Sequence, residues 1–152
     1  MKSIPGAGMA AISDILDIPE DGRAAADQSV AHLVERDGIL FAGTHLIADL
    51  WGASSLDEID TVDTALREAA DAAGATLLNI DLHKFTPNGG ITGVAVLAES
   101  HISIHTWPER AYAAVDVFMC GGAEPYRAVQ ILRRAFEPDT LTLSEHRRGV
   151  MP

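Results

Sequence analysis

The clearest indication of the fold comes from residues 91–119, whose sequence is ITGVAVLAESHISIHTWPERAYAAVDVFM. It contains three runs that are rich in apolar and β-branched residues, at 91–98, 101–106 and 112–119. Short runs of this kind, bounded by polar or proline-containing turns, are typical of β-strands. Because the connecting segments are only a few residues long, consecutive strands must run antiparallel. We therefore predict that these three strands are adjacent and antiparallel.

The sequence on either side adds two helices and three further strands. An apolar stripe at helical spacing predicts a helix that is capped by Ser54 or Ser55 and stops at Gly74. Similar patterns predict a second helix at 125–136 and strands at 39–51, 76–85 and 140–144. This order of elements, with strands joined by short turns, predicts an α+β fold, a two-layer α/β sandwich with a mostly antiparallel sheet and the helices packed on one face.

The beginning of the chain differs from the rest. Prolines and glycines punctuate it, and acidic side chains are frequent. We interpret residues 1–36 as a flexible N-terminal extension that includes a short helix over Met9 to Leu16. Residues 37–152 are then the domain that carries the function.

Composition excludes several classes of function. The chain has 152 residues and a formal net charge of −11, which disfavours binding to nucleic acid or to anionic membranes. Its longest apolar runs are shorter than the roughly 20 residues that span a bilayer. The lone cysteine, Cys120, cannot form an internal disulfide and suits a reducing compartment. We therefore expect a cytoplasmic protein that binds neither nucleic acid nor membrane.

Chemically useful side chains share one face of the predicted strand at 101–106. Strand alternation places His101, Ser103 and His105 opposite the apolar Ile102 and Ile104. Together with Cys120, this face offers hydroxyl, imidazole and thiol groups, which are the groups that nucleophilic and acid–base catalysis use.

Simpler interpretations of these residues remain open at this point. The histidines suit ordinary half-buried positions, and Cys120 suits a small buried apolar side chain. A metal site that uses His101, His105 and Cys120, with His83 or Glu109 as a further ligand, is another hypothesis. The chain has no closely spaced Cys/His pair of the structural-zinc type, so we expect no metal.

Longer stretches carry a family resemblance. The run ESHISIHTWPE at 99–109, followed by YAAVDVF at 112–118 and Cys120-Gly121, closely resembles the bacterial S-adenosylmethionine decarboxylase proenzymes. GTHLIADLWG at 43–52 and GGITGV at 89–94 extend the resemblance, which covers residues 39 to about 150.

The resemblance implies a self-processing enzyme. Members cleave themselves between a Glu and a Ser, here Glu99 and Ser100, which would give fragments 1–99 and 100–152. Ser100 would become a covalently bound pyruvoyl group, which forms a Schiff base with S-adenosylmethionine and acts as an electron sink for decarboxylation. The product would be the aminopropyl donor for spermidine biosynthesis. The family also implies a homo-oligomer, a dimer of cleaved protomers, and this pairing would cover the open face of a single small sheet.

The same resemblance implies a role for each matching residue. Processing would use Glu99, Ser100, His105 and Thr92, and the catalytic residues would be Ser100, His105 and Cys120, with Cys120 as the general acid. Glu109 would bind the ribose hydroxyls, while Phe85 and Phe41 would stack on the adenine. The alternatives are a pyruvoyl-dependent decarboxylase of ornithine or arginine, and an unprocessed, non-catalytic partner subunit.

Overall fold

A computed structural model of the chain describes residues 9–10 and 32–152. These residues form two helices, one 3₁₀ turn at Pro108–Arg110 and nine strands. The helices are α1 (Ile59–Ala72) and α2 (Pro125–Phe136). The strands are β1 (Met9–Ala10), β2 (Val34–Arg36), β3 (Ile39–Phe41), β4 (Gly43–Trp51), β5 (Leu77–Lys84), β6 (Ile91–Leu97), β7 (Ser100–Trp107), β8 (Tyr112–Cys120) and β9 (Thr140–Arg148).

Seven of the strands form one antiparallel sheet. Their order across the sheet is β1-β9-β4-β8-β7-β6-β5, and every neighbouring pair is antiparallel. Strands β2 and β3 form a separate hairpin. The three strands predicted over 91–119 are adjacent, as expected, and they occupy one half of the sheet.

Both helices pack on the same face of the sheet. The buried stripe of α1 includes Val62, Leu66 and Ala69, and each of these side chains is excluded from solvent. Opposite them lie the apolar positions of β7, Ile102 and Ile104, at the strand period of two. The predicted α+β sandwich with helices on one face is therefore confirmed. Neither helix of the described residues is long and apolar enough to cross a membrane.

Three predicted element boundaries are wrong. The strand predicted at 140–144 continues to Arg148 as β9, along its pairing with β4. The strand predicted at 39–51 is divided at Ala42, because β3 pairs with β2 whereas β4 pairs with β8 and β9. Helix α1 begins at Ile59, so Ser54 and Ser55 do not cap it. The Ser54 hydroxyl instead donates to the carbonyl of Phe136, 3.2 Å away at the end of α2. The helix does stop before Gly74, which has a φ of +69°.

The N-terminal region has only a short described segment. Met9 and Ala10 pair with Ser144 and Leu143 as a strand, so the helix predicted from Met9 is wrong at its first two residues. The remainder of that predicted helix, and most of the predicted extension, lie outside the described residues. The predicted domain boundary at residue 36 falls inside the β2–β3 hairpin.

Gly43 provides a test of how closely β4 and β8 pack. A Cβ at this position would lie 2.7 Å from the backbone oxygen of Met119 and 2.8 Å from Cε2 of Phe118. Because Met119 belongs to a central strand, its backbone cannot easily move. We expect Gly43→Ala to lower the free energy of unfolding by about 1–3 kcal/mol, the usual range for overpacking. Urea denaturation of an uncleaved Ser100→Ala chain measures this difference without a cleavage step.

Gly122→Ala is the matched control for that substitution. A Cβ at Gly122 would meet no atom within 4 Å. We expect it to leave the urea midpoint unchanged. Equal midpoints for Gly43→Ala and its parent would show that β4 and β8 tolerate a wider spacing than the structure has.

Candidate active site

Ser100 lies at the start of β7, directly after the tight turn that joins β6 to β7. Its φ is +146°, in a region that residues with a Cβ rarely adopt. Such a conformation costs about 1–3 kcal/mol and persists only where the surrounding structure imposes it. The strained torsion is the N–Cα bond of Ser100, immediately next to the Glu99–Ser100 peptide bond. Strain of this kind favours reactions that break that bond.

Glu99, on the other side of this bond, is held at two points. Its carbonyl oxygen accepts a hydrogen bond of 3.1 Å from the backbone N–H of Cys120. Its carboxylate accepts hydrogen bonds from the backbone N–H of Thr76 at 2.9 Å and from the Thr76 hydroxyl at 3.2 Å. The Cys120 N–H therefore polarises the Glu99 carbonyl and is placed to stabilise negative charge on its oxygen.

The Cys120 thiol completes this group. Cys120 alternates along β8 with Phe118 and Asp116, so its side chain belongs to the sheet face that the helices leave open. Burial raises the pKa of the thiol, and the Glu99 carboxylate adds to the rise. The thiol therefore keeps its proton at neutral pH. The Ser100 side chain is close enough to the thiol to act on its pKa in the lowering direction, so the structure brings Glu99, Ser100 and Cys120 together.

His105 and Thr92 form a second group, away from the first. They pair across β6 and β7, and Nδ1 of His105 lies 3.0 Å from the hydroxyl oxygen of Thr92. Ser100 pairs with Leu97, five positions further along the same two strands. At about 3.3 Å per residue, this is a separation of roughly 16 Å. One chain therefore does not bring His105 or Thr92 to Ser100, although the sequence interpretation grouped them.

The predicted substrate-binding residues Phe85 and Glu109 lie at the His105 end. Phe85 follows β5, is 47% exposed, and packs edge to face on the ring of His83 with centroids 4.6 Å apart. Glu109 is exposed in the 3₁₀ turn that follows β7. An open aromatic ring and a solvent-facing carboxylate thus flank the His105–Thr92 pair.

Phe41 does not fit the predicted clamp with Phe85 in one chain. It ends β3 beside Gly43, which pairs with Cys120, so it lies at the Ser100 end of the sheet. Its side chain is completely buried, and the Arg147 guanidinium lies 5.4 Å from the ring centroid. An adenine ring would find no free face of Phe41, because the protein already covers it.

A further cluster lies on the open face, and the sequence interpretation missed two of its four residues, His45 and Asp116. One oxygen of Asp116 lies 2.9 Å from Nε2 of His45 and 3.0 Å from Nε2 of His101. The other oxygen accepts a hydrogen bond from the Ser103 hydroxyl. We call these four residues the Asp116 network. Burial opposes ionisation of Asp116, but the three hydrogen bonds outweigh it and hold the pKa of the carboxyl below its usual value.

The predicted metal ligands do not come together. His101 joins His45 and Asp116, whose ligand atoms all lie within 4.8 Å of one another, while His105 bonds to Thr92 instead. Nη1 of Arg148 donates to Nδ1 of His45 at 3.2 Å. Because arginine can only donate, Nδ1 is the acceptor and Nε2 of His45 carries the proton that faces Asp116. This arrangement suits a hydrogen-bonded carboxylate better than a metal centre.

The open face also carries a row of stacked aromatic rings. Tyr112 lies between Trp51 and Trp107, with centroid distances of 4.2 Å and 5.2 Å. Its hydroxyl donates to Asp49 at 2.6 Å, and this hydrogen bond is the main cause that raises the pKa of Tyr112 to about 12. Trp51 and Trp107 are 48% and 40% exposed. A large apolar area of the sheet is therefore uncovered in a single chain.

Comparison with known proteins gives the same family by sequence and by structure. A family model described as S-adenosylmethionine decarboxylase matches residues 44–149. The S-adenosylmethionine decarboxylase proenzyme of Thermomicrobium roseum is 43% identical over 110 residues, which are 72% of this chain and 95% of that protein. The proenzyme of Methanococcus vannielii is 47% identical over 112 residues, 72% of this chain and 91% of that protein.

A solved structure agrees with these relatives. The crystal structure of the adenosylmethionine decarboxylase from Aquifex aeolicus has a TM-score of 0.66 and 37% sequence identity, and the match covers 72% of this chain and 92% of that one. The matched region includes both the Glu99–Ser100–Cys120 group and the His105–Thr92 pair. The chain belongs to the S-adenosylmethionine decarboxylase family.

Proposed function

We propose that this chain is a proenzyme that cleaves itself between Glu99 and Ser100 and then decarboxylates S-adenosylmethionine, giving the aminopropyl donor for spermidine biosynthesis. The main support for the proposal is the strained backbone of Ser100. The carbonyl of the preceding residue, Glu99, accepts a hydrogen bond from the Cys120 N–H, and the Ser100 hydroxyl lies near the Cys120 thiol. Relatives of the chain are named proenzymes, and this supports the interpretation of the Ser100 geometry as a self-cleavage site.

The cleavage follows from the position of Ser100. Its Oγ attacks the Glu99 carbonyl carbon, the negative charge develops on the oxygen that the Cys120 N–H holds, and the C–N bond breaks to leave an ester and a free amine. Loss of the Ser100 α-proton then expels Glu99 as a carboxylate. One water molecule enters and one ammonia leaves, so that residue 100 ends as a pyruvoyl group.

The surroundings of residue 100 suit a pyruvoyl group. When present, it supplies an electrophilic ketone that condenses with the substrate amine and accepts the electron pair released with carbon dioxide. The protonated Cys120 thiol, next to residue 100, is placed to return a proton to the substrate carbon. Phe85 and Glu109 offer a stacking surface and a hydrogen-bond acceptor for the nucleoside part.

Two copies of the chain are needed to complete this site. His105 and Thr92 lie roughly 16 Å along the strands from Ser100, by the rise of about 3.3 Å per residue. If two open faces pack together about a two-fold axis, the His105 end of one copy meets the Ser100 end of the other. The same contact covers the exposed Trp51 and Trp107. We therefore propose a homodimer in which each protomer supplies the processing histidine of its partner.

We also propose a cytoplasmic location. The chain has one cysteine, and the chemistry proposed here needs it as a reduced thiol.

Release of labelled carbon dioxide from carboxyl-labelled substrates tests the proposed reaction. We expect release from S-adenosylmethionine and none from ornithine or arginine. Release from either amino acid instead would support the alternative substrate. An intact chain with no release from any of the three would support a non-catalytic partner subunit.

Cys120→Ala separates cleavage from turnover. The substitution removes the thiol but keeps the backbone N–H that binds the Glu99 carbonyl. We expect cleavage to continue and kcat to fall by about 10²–10⁴, the usual contribution of a general acid. Gel analysis measures the cleavage, and carbon dioxide release from the cleaved fraction measures kcat. Full activity of this variant would assign the proton donor to another group.

A further inference from the structure

His101 belongs to the Asp116 network and directly follows Ser100 in the chain, yet none of the steps above uses this network. We infer that Asp116 is a positioning residue that acts through His101 to hold the start of the 100–152 fragment in place after cleavage. This inference rests on the proposed function, since it concerns the chain end that cleavage creates.

Cleavage removes the attachments that hold residue 100 on its N-terminal side. In the intact chain, Thr76 and the Cys120 N–H fix Glu99, and Glu99 is bonded to Ser100. After cleavage, Thr76 and Glu99 belong to fragment 1–99. The nitrogen of residue 100 leaves as ammonia, so this residue also loses its backbone donor. From then on, its only covalent attachment is the bond to His101.

His101 is the first side chain that can anchor the new end. Its Nε2 lies 3.0 Å from the Asp116 carboxylate, which belongs to the neighbouring strand β8. That carboxylate is itself fixed by hydrogen bonds to Ser103 and His45. It is ionised at neutral pH, because its pKa lies below the usual value for a carboxyl group. A hydrogen bond to an ionised acceptor is stronger than one between neutral groups.

The surroundings of His101 also restrict its ring. The ring of Phe118 packs beside both histidines, with centroids 5.4 Å from His45 and 6.1 Å from His101. The Arg148 guanidinium lies 5.4 Å from the Phe118 centroid and supports that ring from the side of β9. The His101 side chain is thus held by Asp116 at its tip and by Phe118 on its flank. Movement of the terminal residues away from Cys120 would require both contacts to break.

The test combines kinetics with hydrogen exchange on fully cleaved protein. His101→Ala, Asp116→Asn and the double variant should all cleave, because Glu99, Ser100 and Cys120 are unchanged. We expect kcat to fall by about 10- to 100-fold, the range that a misplacement of about 1 Å produces. KM should change little, since Phe85 and Glu109 are untouched. Amide exchange in the peptide 101–107 should become faster, and this readout does not depend on turnover.

The double variant shows whether Asp116 acts through His101. If it does, the double variant should lose no more activity and exchange no faster than His101→Ala, because both substitutions break one link. His45→Ala is the comparison variant: it removes a hydrogen bond of similar length from the same Asp116 oxygen, but His45 is not bonded to residue 100. Because Asp116 keeps its hydrogen bonds to His101 and Ser103, we expect a smaller loss of kcat and a smaller rise in exchange than in His101→Ala. His101→Gln can still donate a hydrogen bond to Asp116, so it should recover part of kcat and part of the protection from amide exchange.

Four results would overturn the inference while leaving the proposed function intact. The first three are parental kcat and exchange in cleaved His101→Ala, additive losses in the double variant, and failure of His101→Ala and His101→Gln to cleave. The third would place the role of His101 before cleavage. The fourth is bound zinc in the parent that is lost in His45→Ala, because the cluster would then be a metal site. Absence of cleavage in the parent would instead contradict the proposed function.

Discussion

We expect a Ser100→Ala chain to remain a single polypeptide of 152 residues and to release no carbon dioxide from S-adenosylmethionine. The substitution removes the hydroxyl that we propose as the nucleophile toward the Glu99 carbonyl, and no electrophilic ketone can form at residue 100. The loss should be complete, because both the processing step and the electron sink depend on the same oxygen. Denaturing gels and the carbon dioxide assay measure the two losses separately.

Ser100→Cys is the matched control for this loss. Both replacement side chains have a Cβ, so both chains meet the same backbone strain at φ +146°. The thiol variant still has a nucleophile, and we expect slow cleavage from it and none from Ser100→Ala. Cleavage of Ser100→Ala between residues 99 and 100 would show that another group attacks this bond.

Co-expression of Ser100→Ala and His105→Ala chains should restore cleavage that neither variant shows by itself. In a mixed dimer, the Ser100→Ala chain still carries His105, and we propose that this histidine serves Ser100 of its partner. Only the His105→Ala chain should therefore be cut, which tags of different mass on the two chains will show. The large effect follows from the roughly 16 Å between the two residues in one chain, at about 3.3 Å per residue.

A second pair of variants sets the limit of this rescue. Ser100 and Cys120 contact each other within one chain, so Ser100→Ala and Cys120→Ala chains should not restore turnover to each other. If the His105→Ala chain stays intact in mixed dimers, His105 acts within its own chain, and the proposed arrangement of two copies is wrong.

The local elements of the fold were predictable from the sequence, whereas their boundaries were less so. The alternation in β7 and β8 and the apolar stripe of α2 follow directly from residue spacing. The start of α1 was not predictable from local signals, because Ser54 bonds to the carbonyl of Phe136, which is 82 residues away in the chain. A serine that caps a helix and one that bonds a distant carbonyl look the same in the sequence.

The candidate site was also predictable only in part. His105 lies five residues after Ser100 in a predicted strand. The extended backbone of a strand places the two residues far apart, and this could have been inferred from the sequence. The contact between His45 and Asp116 could not be predicted from the sequence, because it depends on β4 lying next to β8. Which strands become neighbours is decided by long-range packing, and the residues of β4 carry no local mark of their partner.

Intact mass measurement of the purified, denatured protein, before and after borohydride treatment, shows directly whether the chain cleaves itself and forms a pyruvoyl group. We expect two fragments, 1–99 and 100–152. The second should be lighter than a serine-terminated fragment by the mass of one ammonia, and it should gain two hydrogens on reduction. A single chain of 152 residues after long incubation, or a 100–152 fragment that still begins with serine, would contradict this expectation.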